Sequence, residues 1–175
     1  MQSTPMFKFI FKIGSWIAAL ALYGAIASCA RPAAEQDPQQ KLLETKDCTE
    51  CKLQGADFSQ QNLSQVILNR ADLSNANFSG ANLSESLIDS ANLSGANLSG
   101  ANLSKGGLSA VNLNGANLEG ANLEGAFLRN ADLSNANLSG ANLTNADLRD
   151  AKIDGAKLDG ATFKGTLMPD GNVKN

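Results

Sequence analysis

Apolar residues recur at every fifth position along most of this chain. From Leu53 to Phe163, every fifth residue is Leu, Ile or Phe without exception. Ala stands two places earlier in most units, as in Ala91-Asn92-Leu93-Ser94-Gly95. A period of five suits neither regular element. On a helix of 3.6 residues per turn, such residues would spiral around the whole surface. On a flat strand, an odd step would send successive Leu to opposite faces. A chain that turns about once per unit, in contrast, points every Leu inward. The residues after each Leu agree with frequent turning. Ser-Gly or Ser-Asn usually follows, as at Ser94-Gly95 and Ser134-Asn135, and Gly or Asn supplies the positive φ that the third position of a type II turn demands.

A disordered low-complexity tract does not carry so unbroken an apolar column. Units such as Ala131-Asp132-Leu133-Ser134-Asn135 and Ala141-Asn142-Leu143-Thr144-Asn145 resemble those of the pentapeptide-repeat family, whose pattern is A-(D/N)-L-x-x. The resemblance covers about two-thirds of the chain, residues 51–168. It implies an all-β fold, a right-handed quadrilateral β-helix with four units per coil. Counting the unit of Met168, about six coils would stack into a rod roughly 28 Å long at about 4.8 Å per strand. No coil could bury its Leu alone, so stability would come from stacking on neighbours. Thr166-Leu167-Met168-Pro169 breaks the pattern. Pro169 lacks a backbone donor and suits a sheet edge, leaving residues 169–175 as a polar tail.

The segments before the repeat read differently. Lys8 and Lys12 precede an uncharged, mostly apolar run from Ile13 to Ile26, too short for a comfortable membrane span. Residues 1–28 therefore read as an export signal. Ile26-Ala27-Ser28-Cys29 resembles a bacterial lipobox, in which Cys29 would become the lipidated first residue; ordinary cleavage after Ala25-Ile26-Ala27 is the alternative. Residues 29–37 form a short tether rich in Pro, Ala and Gln. Residues 38–50 read as a helical cap: Asp37 serves as N-cap with Pro38 at the first helical position, followed by two turns from Gln39 to Lys46. Such a helix is marginal alone, and its expected role is to cover the open edge of the first coil.

Cysteine usage follows from export. Cys48-Thr49-Glu50-Cys51 in an exported chain favours a disulfide, and Cys51 occupies the small inward slot that Ala fills elsewhere. The same spacing matches a thiol–disulfide redox pair, but that reading expects a βαβ context that this sequence does not display. Zinc would need two further soft ligands, and the chain has no His. No metal or cofactor is expected. The Cys pair with its preceding helix also resembles an exported subgroup of the family found in photosynthetic bacteria.

With four units per coil, residues twenty apart share a face. Counting faces from Leu53, the fourth carries Leu68, Ile88, Leu108, Leu128, Leu148 and Met168 inward. The residue before each central one should point outward. On the first three faces that column is Asn, Asp, Lys or Thr throughout. On face four it reads Ile67, Leu87, Gly107, Phe127, Asp147 and Leu167. The chain has four Arg, and the three within the repeat (Arg70, Arg129 and Arg149) all fall on this face. Arg beside apolar anchors is the composition of interface cores. Three exceptions to the Ala slot, Val66, Ser86 and Gly106, lie there too. On the polar faces, Asn columns such as Asn82, Asn102, Asn122 and Asn142 are expected to bond one another along the rod.

Composition narrows the function classes. Formal charge is −3, and loss of residues 1–28 with Lys8 and Lys12 takes it to −5, which disfavours nucleic acid or anionic lipid as the main partner. The Ser, Asp and Glu of the repeat are nowhere grouped beside a positioned base. The reading is an exported, non-enzymatic scaffold or protein-binding module of the periplasm or thylakoid lumen. A lipid at Cys29 would be its membrane tether, and face four would bind a protein partner or a second rod. Two alternatives are a redox protein using Cys48 and Cys51, and a DNA-mimicking topoisomerase inhibitor of the kind known in the family. The export signal, the interspersed Lys and Arg, and the lack of a C-terminal dimerisation helix depart from the latter.

Overall fold

The computed structural model describes residues 37–174. The leader, Cys29 and the tether up to residue 36 lie outside the described residues.

Within the repeat, every unit except that of Leu63 ends in a tight turn closed by one backbone bond. The Ala96 N–H donates to the Leu93 carbonyl at 3.1 Å and Ala101 N–H to Leu98 at 3.0 Å. The third turn residue has positive φ, 67° at Gly95 and 59° at Asn135, as a type II turn requires. Two residues are spent on each turn, so only a short straight piece remains per unit. That piece is too brief for a multi-residue ladder. It makes isolated parallel bridges instead, always to the residue twenty ahead, as in Asn92↔Asn112 and Asn112↔Asp132. Two backbone bonds sew each contact: the Leu93 N–H donates to Asn112 O at 2.7 Å and the Asn112 N–H to Ala91 O at 3.0 Å. Four columns of such bridges run along the coil among the described residues. The architecture is a β-helix.

Every central side chain from Leu53 to Leu148 is buried, as are most of the Ala-slot residues between them. Phe58 and Phe78 stack at 5.1 Å within one inward column. Each enclosed Leu contributes about 1.5–3 kcal/mol.

The two ends are closed unequally. Helix α1 spans Pro38–Thr45, with the Gln39 N–H donating to the Asp37 side chain and Lys46 in the left-handed conformation after its last turn. Leu42 is fully buried beneath it, whereas Leu43 is exposed. Residues 46–48 then add a rung over the first coil: Ile67 N–H donates to Lys46 O and Cys48 N–H to Ile67 O, each at 2.8 Å. Cys48 and Cys51 are joined in a disulfide, which ties this rung to the first repeat.

At the other end, Ile153, Leu158, Phe163 and Met168 are only half-buried, because no further coil covers them. Of residues 169–175, read from the sequence as a polar tail, residues 169–174 turn back instead. Strand β1 (Thr166–Leu167) pairs antiparallel with β2 (Val173–Lys174). Lys174 Nζ sits 3.9 Å from the centroid of the Phe163 ring. A groove of about 490 Å³ between Ile153, Met168 and the hairpin stays open.

Candidate interface on the fourth face

The outward column of face four is a continuous bridge series from Asp47 through Ile67, Leu87, Gly107, Phe127 and Asp147 to Leu167. The fold thus brings together four apolar side chains that stand up to a hundred residues apart. Leu87 is 45% exposed and Phe127 54%, so both present apolar surface to solvent. Ile67 and Leu167 are half-buried, Ile67 beside the rung of residues 46–48 and Leu167 in the β1–β2 pair. Gly107 places no side chain between Leu87 and Phe127. A Cβ placed there would lie 3.3 Å from Leu87 Cδ2 and 3.3 Å from Asp89 Oδ2, so the Leu87 side chain reaches over Gly107.

Asp147 does divide Phe127 from Leu167. Its carboxylate accepts from Arg149 Nε at 2.9 Å, from Arg149 Nη2 at 2.6 Å, and from the Arg149 backbone N–H at 3.2 Å. The bonded guanidinium holds the Asp147 carboxyl below the usual carboxylate range, against the partial burial that pushes it up. Arg70 pairs with Glu50 at 2.8 Å, but both side chains are more than 60% exposed, so this pair adds little to stability. Arg129 makes no side-chain hydrogen bond or ion pair among the described residues, though its charge helps to lower Asp147.

The Ala-slot exceptions are settled inside the wall. Val66 is fully buried. The Ser86 hydroxyl donates to Leu83 O at 2.6 Å, and the Thr166 hydroxyl does the same to Leu143 O. No buried side-chain nitrogen or oxygen among the described residues lacks a partner. The interior therefore holds no polar group free to receive a ligand.

The polar faces are internally committed. Asn82, Asn102, Asn122 and Asn142 each donate Nδ2 to the Asn Oδ1 one coil earlier, at 3.1–3.3 Å. Each Oδ1 of Asn82, Asn102 and Asn122 also accepts a backbone N–H two residues on. Acceptors shared in this way are poorly placed to recognise anything else. Cys48 is fully buried with Sγ 3.4 Å from Pro38 O. An attacking thiolate needs access to sulfur, and α1 screens it on this side.

Asp89 escapes a reading of the outward column alone, because it lies two residues after Leu87. Its backbone N–H donates to Asn69 Oδ1 at 2.9 Å and its carboxylate accepts from the Ser109 N–H at 2.7 Å. The available signal is the column that follows the central residue on this face: Asn69, Asp89, Ser109, Arg129, Arg149.

Comparison with known proteins bears on the repeat itself. The family model described as pentapeptide repeats matches eight copies over overlapping stretches from residue 51 to residue 165. A pentapeptide-repeat protein, Rfr23 from the cyanobacterium Cyanothece 51142, is 32% identical, with 79% of this chain and 97% of that one covered and a TM-score of 0.38. HetL, involved in heterocyst differentiation regulation in Nostoc sp. strain PCC 7120, is also 32% identical, covering 73% and 74% of the two chains at a TM-score of 0.31. QnrB1, a plasmid-mediated fluoroquinolone resistance protein, is 21% identical over 69% and 71%, with a TM-score of 0.34. Scores this low add nothing to the repeat match. The uncharacterized protein slr0516 of Synechocystis sp. is 49% identical over 48 residues, 27% of this chain and 29% of that protein. The match thus spans less than a third of that relative's length.

Proposed function

Because the chain belongs to the pentapeptide-repeat family, we propose that it is an exported, non-enzymatic binding module whose contact surface is face four. The coil is right-handed in this reading, with about six turns, and it presents Ile67, Leu87, Phe127 and Leu167 with Arg70, Arg129 and Arg149 as one outward strip. The observation that carries the proposal is the exposure of Leu87 and Phe127 on a rod whose other outward columns are polar. Large apolar side chains in solvent favour contact with a partner, and aromatic and Arg residues dominate binding energy where it has been measured.

Export and a lipid at Cys29 complete the reading, placing the module in the periplasm or thylakoid lumen. Their support is the apolar run and lipobox-like Cys29 of the sequence. Lipid labelling of the wild type and of Cys29→Ser, with fractionation of the host cells, tests this part: label retained by Cys29→Ser removes the anchor.

The binding surface is tested by cross-linking in the native host, comparing the wild type with Ile67→Asp and Phe127→Asp. Cross-linked complexes, whether with other proteins or between copies, should be lost in both variants while the monomer persists. Complexes unchanged in both variants refute face four as the contact surface.

A further inference from the structure

Face four carries charge as well as apolar surface, and the order of its residues along the rod is close to self-complementary. Gly107 sits at the middle of the outward column, with Leu87 one coil before it and Phe127 one coil after. In the adjacent column, Asp89 and Arg129 flank Ser109 at the same spacing. In the next, Arg70 and Asp150 stand two coils either side of Ala110. Acid and base are thus exchanged across one central level in both pairs, whereas Glu50 and Asp170, three coils either side, are both acidic.

We propose that the partner of face four is a second copy of this chain, laid antiparallel across a two-fold axis at the level of Gly107. The proposal rests on the reading of face four as the contact surface and names its occupant. A two-fold axis lying in the interface and crossing the rod reverses direction along the rod while keeping each column opposite itself. Leu87 then meets the partner's Phe127, and Phe127 meets the partner's Leu87. Asp89 meets the partner's Arg129, and Arg129, which has no ion pair within its own chain among the described residues, gains one. Arg70 falls opposite the partner's Asp150. The two glycines at the axis leave room for the leaning Leu87 side chains. Ile67 lies opposite the partner's Asp147–Arg149 pair, where the aliphatic stem of an arginine can cover it.

Other registers lose this match. Sliding by one coil in one sense sets Leu87 against Gly107, Asp89 against Ser109 and Glu50 against Asp150, which removes the opposite-charge pairs. Sliding in the other sense sets Asp89 against Arg149 and Arg70 against Asp170 but Leu87 against Asp147 and Phe127 against Gly107, which loses the apolar contact. Parallel rods put the coil bearing Glu85 and Asp89 against itself. Opposite charges narrow the choice of register, and the Leu87–Phe127 contacts at the apolar centre decide it. The face is narrow, so the dimer belongs with interfaces below about 1,200 Å², which are weak.

Ser109 lies on the axis and provides the test. Packed sheets stand about 10 Å apart, beyond the ~7 Å limit for a direct disulfide, so a short bis-maleimide is the suitable cross-linker. The full chain carrying Ser109→Cys is compared with the wild type and with Ser134→Cys, which occupies the same place in a unit on face one. Cross-linked dimer should form with Ser109→Cys and not above wild-type background with Ser134→Cys. Within Ser109→Cys, either Asp89→Arg or Arg129→Asp should lower its yield roughly fivefold, and the double exchange should restore it. Thermal melts of the same samples confirm that the coil is intact. Yield from Ser109→Cys no greater than from Ser134→Cys overturns the proposal, as does a double exchange that fails to restore it while still melting cooperatively. If Phe127→Asp abolishes heterologous complexes in the host while Ser109→Cys stays monomeric, the second-copy assignment falls and face four survives as an interface. If neither responds, both fall.

Discussion

Truncating the same inward residue at two levels of the coil measures how continuous the core is. Leu118 and Leu158 lie on one face, two coils apart. Leu118 is fully buried between Leu98 and Leu138, themselves buried. Leu158 lies in the last coil and is half-buried. Leu118→Ala leaves a cavity walled on both sides, because neighbouring rungs are pinned by backbone bonds such as Leu118 N–H to Asn137 O at 2.7 Å. Its expected cost is therefore about 3–5 kcal/mol. Leu158→Ala removes methyl groups packed on one side only, and the space opens to solvent, so about 1 kcal/mol is expected. In urea unfolding with a slope of about 2 kcal/mol/M, these figures shift the midpoint by about 1.5–2.5 M and about 0.5 M respectively. The slopes should remain equal to that of the wild type. Equal shifts for the two variants would refute the reasoning, since they would mean that the last coil is enclosed as fully as the interior. Small shifts for both would mean that the coils do not share one core.

Further perturbations probe the ladders, corners and charges. Asn102→Ala removes amide bonds to Asn82 and Asn122 and the acceptor for the Ser104 N–H; about 1–3 kcal/mol should be lost, and an unchanged melting temperature would show that the ladder contributes nothing. Ala110 adopts φ 56°, which costs a non-glycine residue about 1–2 kcal/mol. Ala110→Gly relieves this and gives back about 0.5–1 kcal/mol of chain entropy, so a net gain of up to about 1 kcal/mol is expected in the same melts. Gly95→Ala should do the opposite, because φ 67° strains a residue with a Cβ and the Asn75 amide 2.7 Å from that Cβ would have to swing aside; a neutral result would contradict the corner geometry. Asp147 has its pKa lowered by Arg149. Its contribution is therefore complete above the unfolded carboxylate value of about 3.9 and lost as pH falls through the lower folded value. Unfolding measured from pH 6 to pH 2 should show a shallower acid loss in Asp147→Asn than in the wild type, and identical acid limbs would refute the linkage.

The repeat made the fold legible because one local rule recurs without interruption. A small residue, a polar residue, a large apolar residue and a two-residue turn are each satisfied within five positions, so little depends on distant context. The N-cap at Asp37 with Pro38 was legible for the same reason. The return of Val173–Lys174 onto Thr166–Leu167 was not, because a two-residue strand carries no periodicity and exists only where an edge offers a partner. The column of Ile67, Leu87 and Phe127 could be listed from the spacing of twenty, but the leaning of Leu87 over Gly107 and the bonds of Asp89 to neighbouring coils could not.

The sequence by itself determined that the chain turns once per unit and points its Leu, Ile and Phe inward, since no other conformation buries a five-residue period. It also determined which residues share a face once four units close a coil. The tertiary structure decided how exposed those faces are. Side-chain exposure depends on neighbours twenty residues away in both directions, and on how each end of the coil is covered. For that reason Leu87 and Phe127 emerged as open apolar surface, Ile67 and Leu167 as half-covered, and Asp147 as a carboxylate already taken by Arg149.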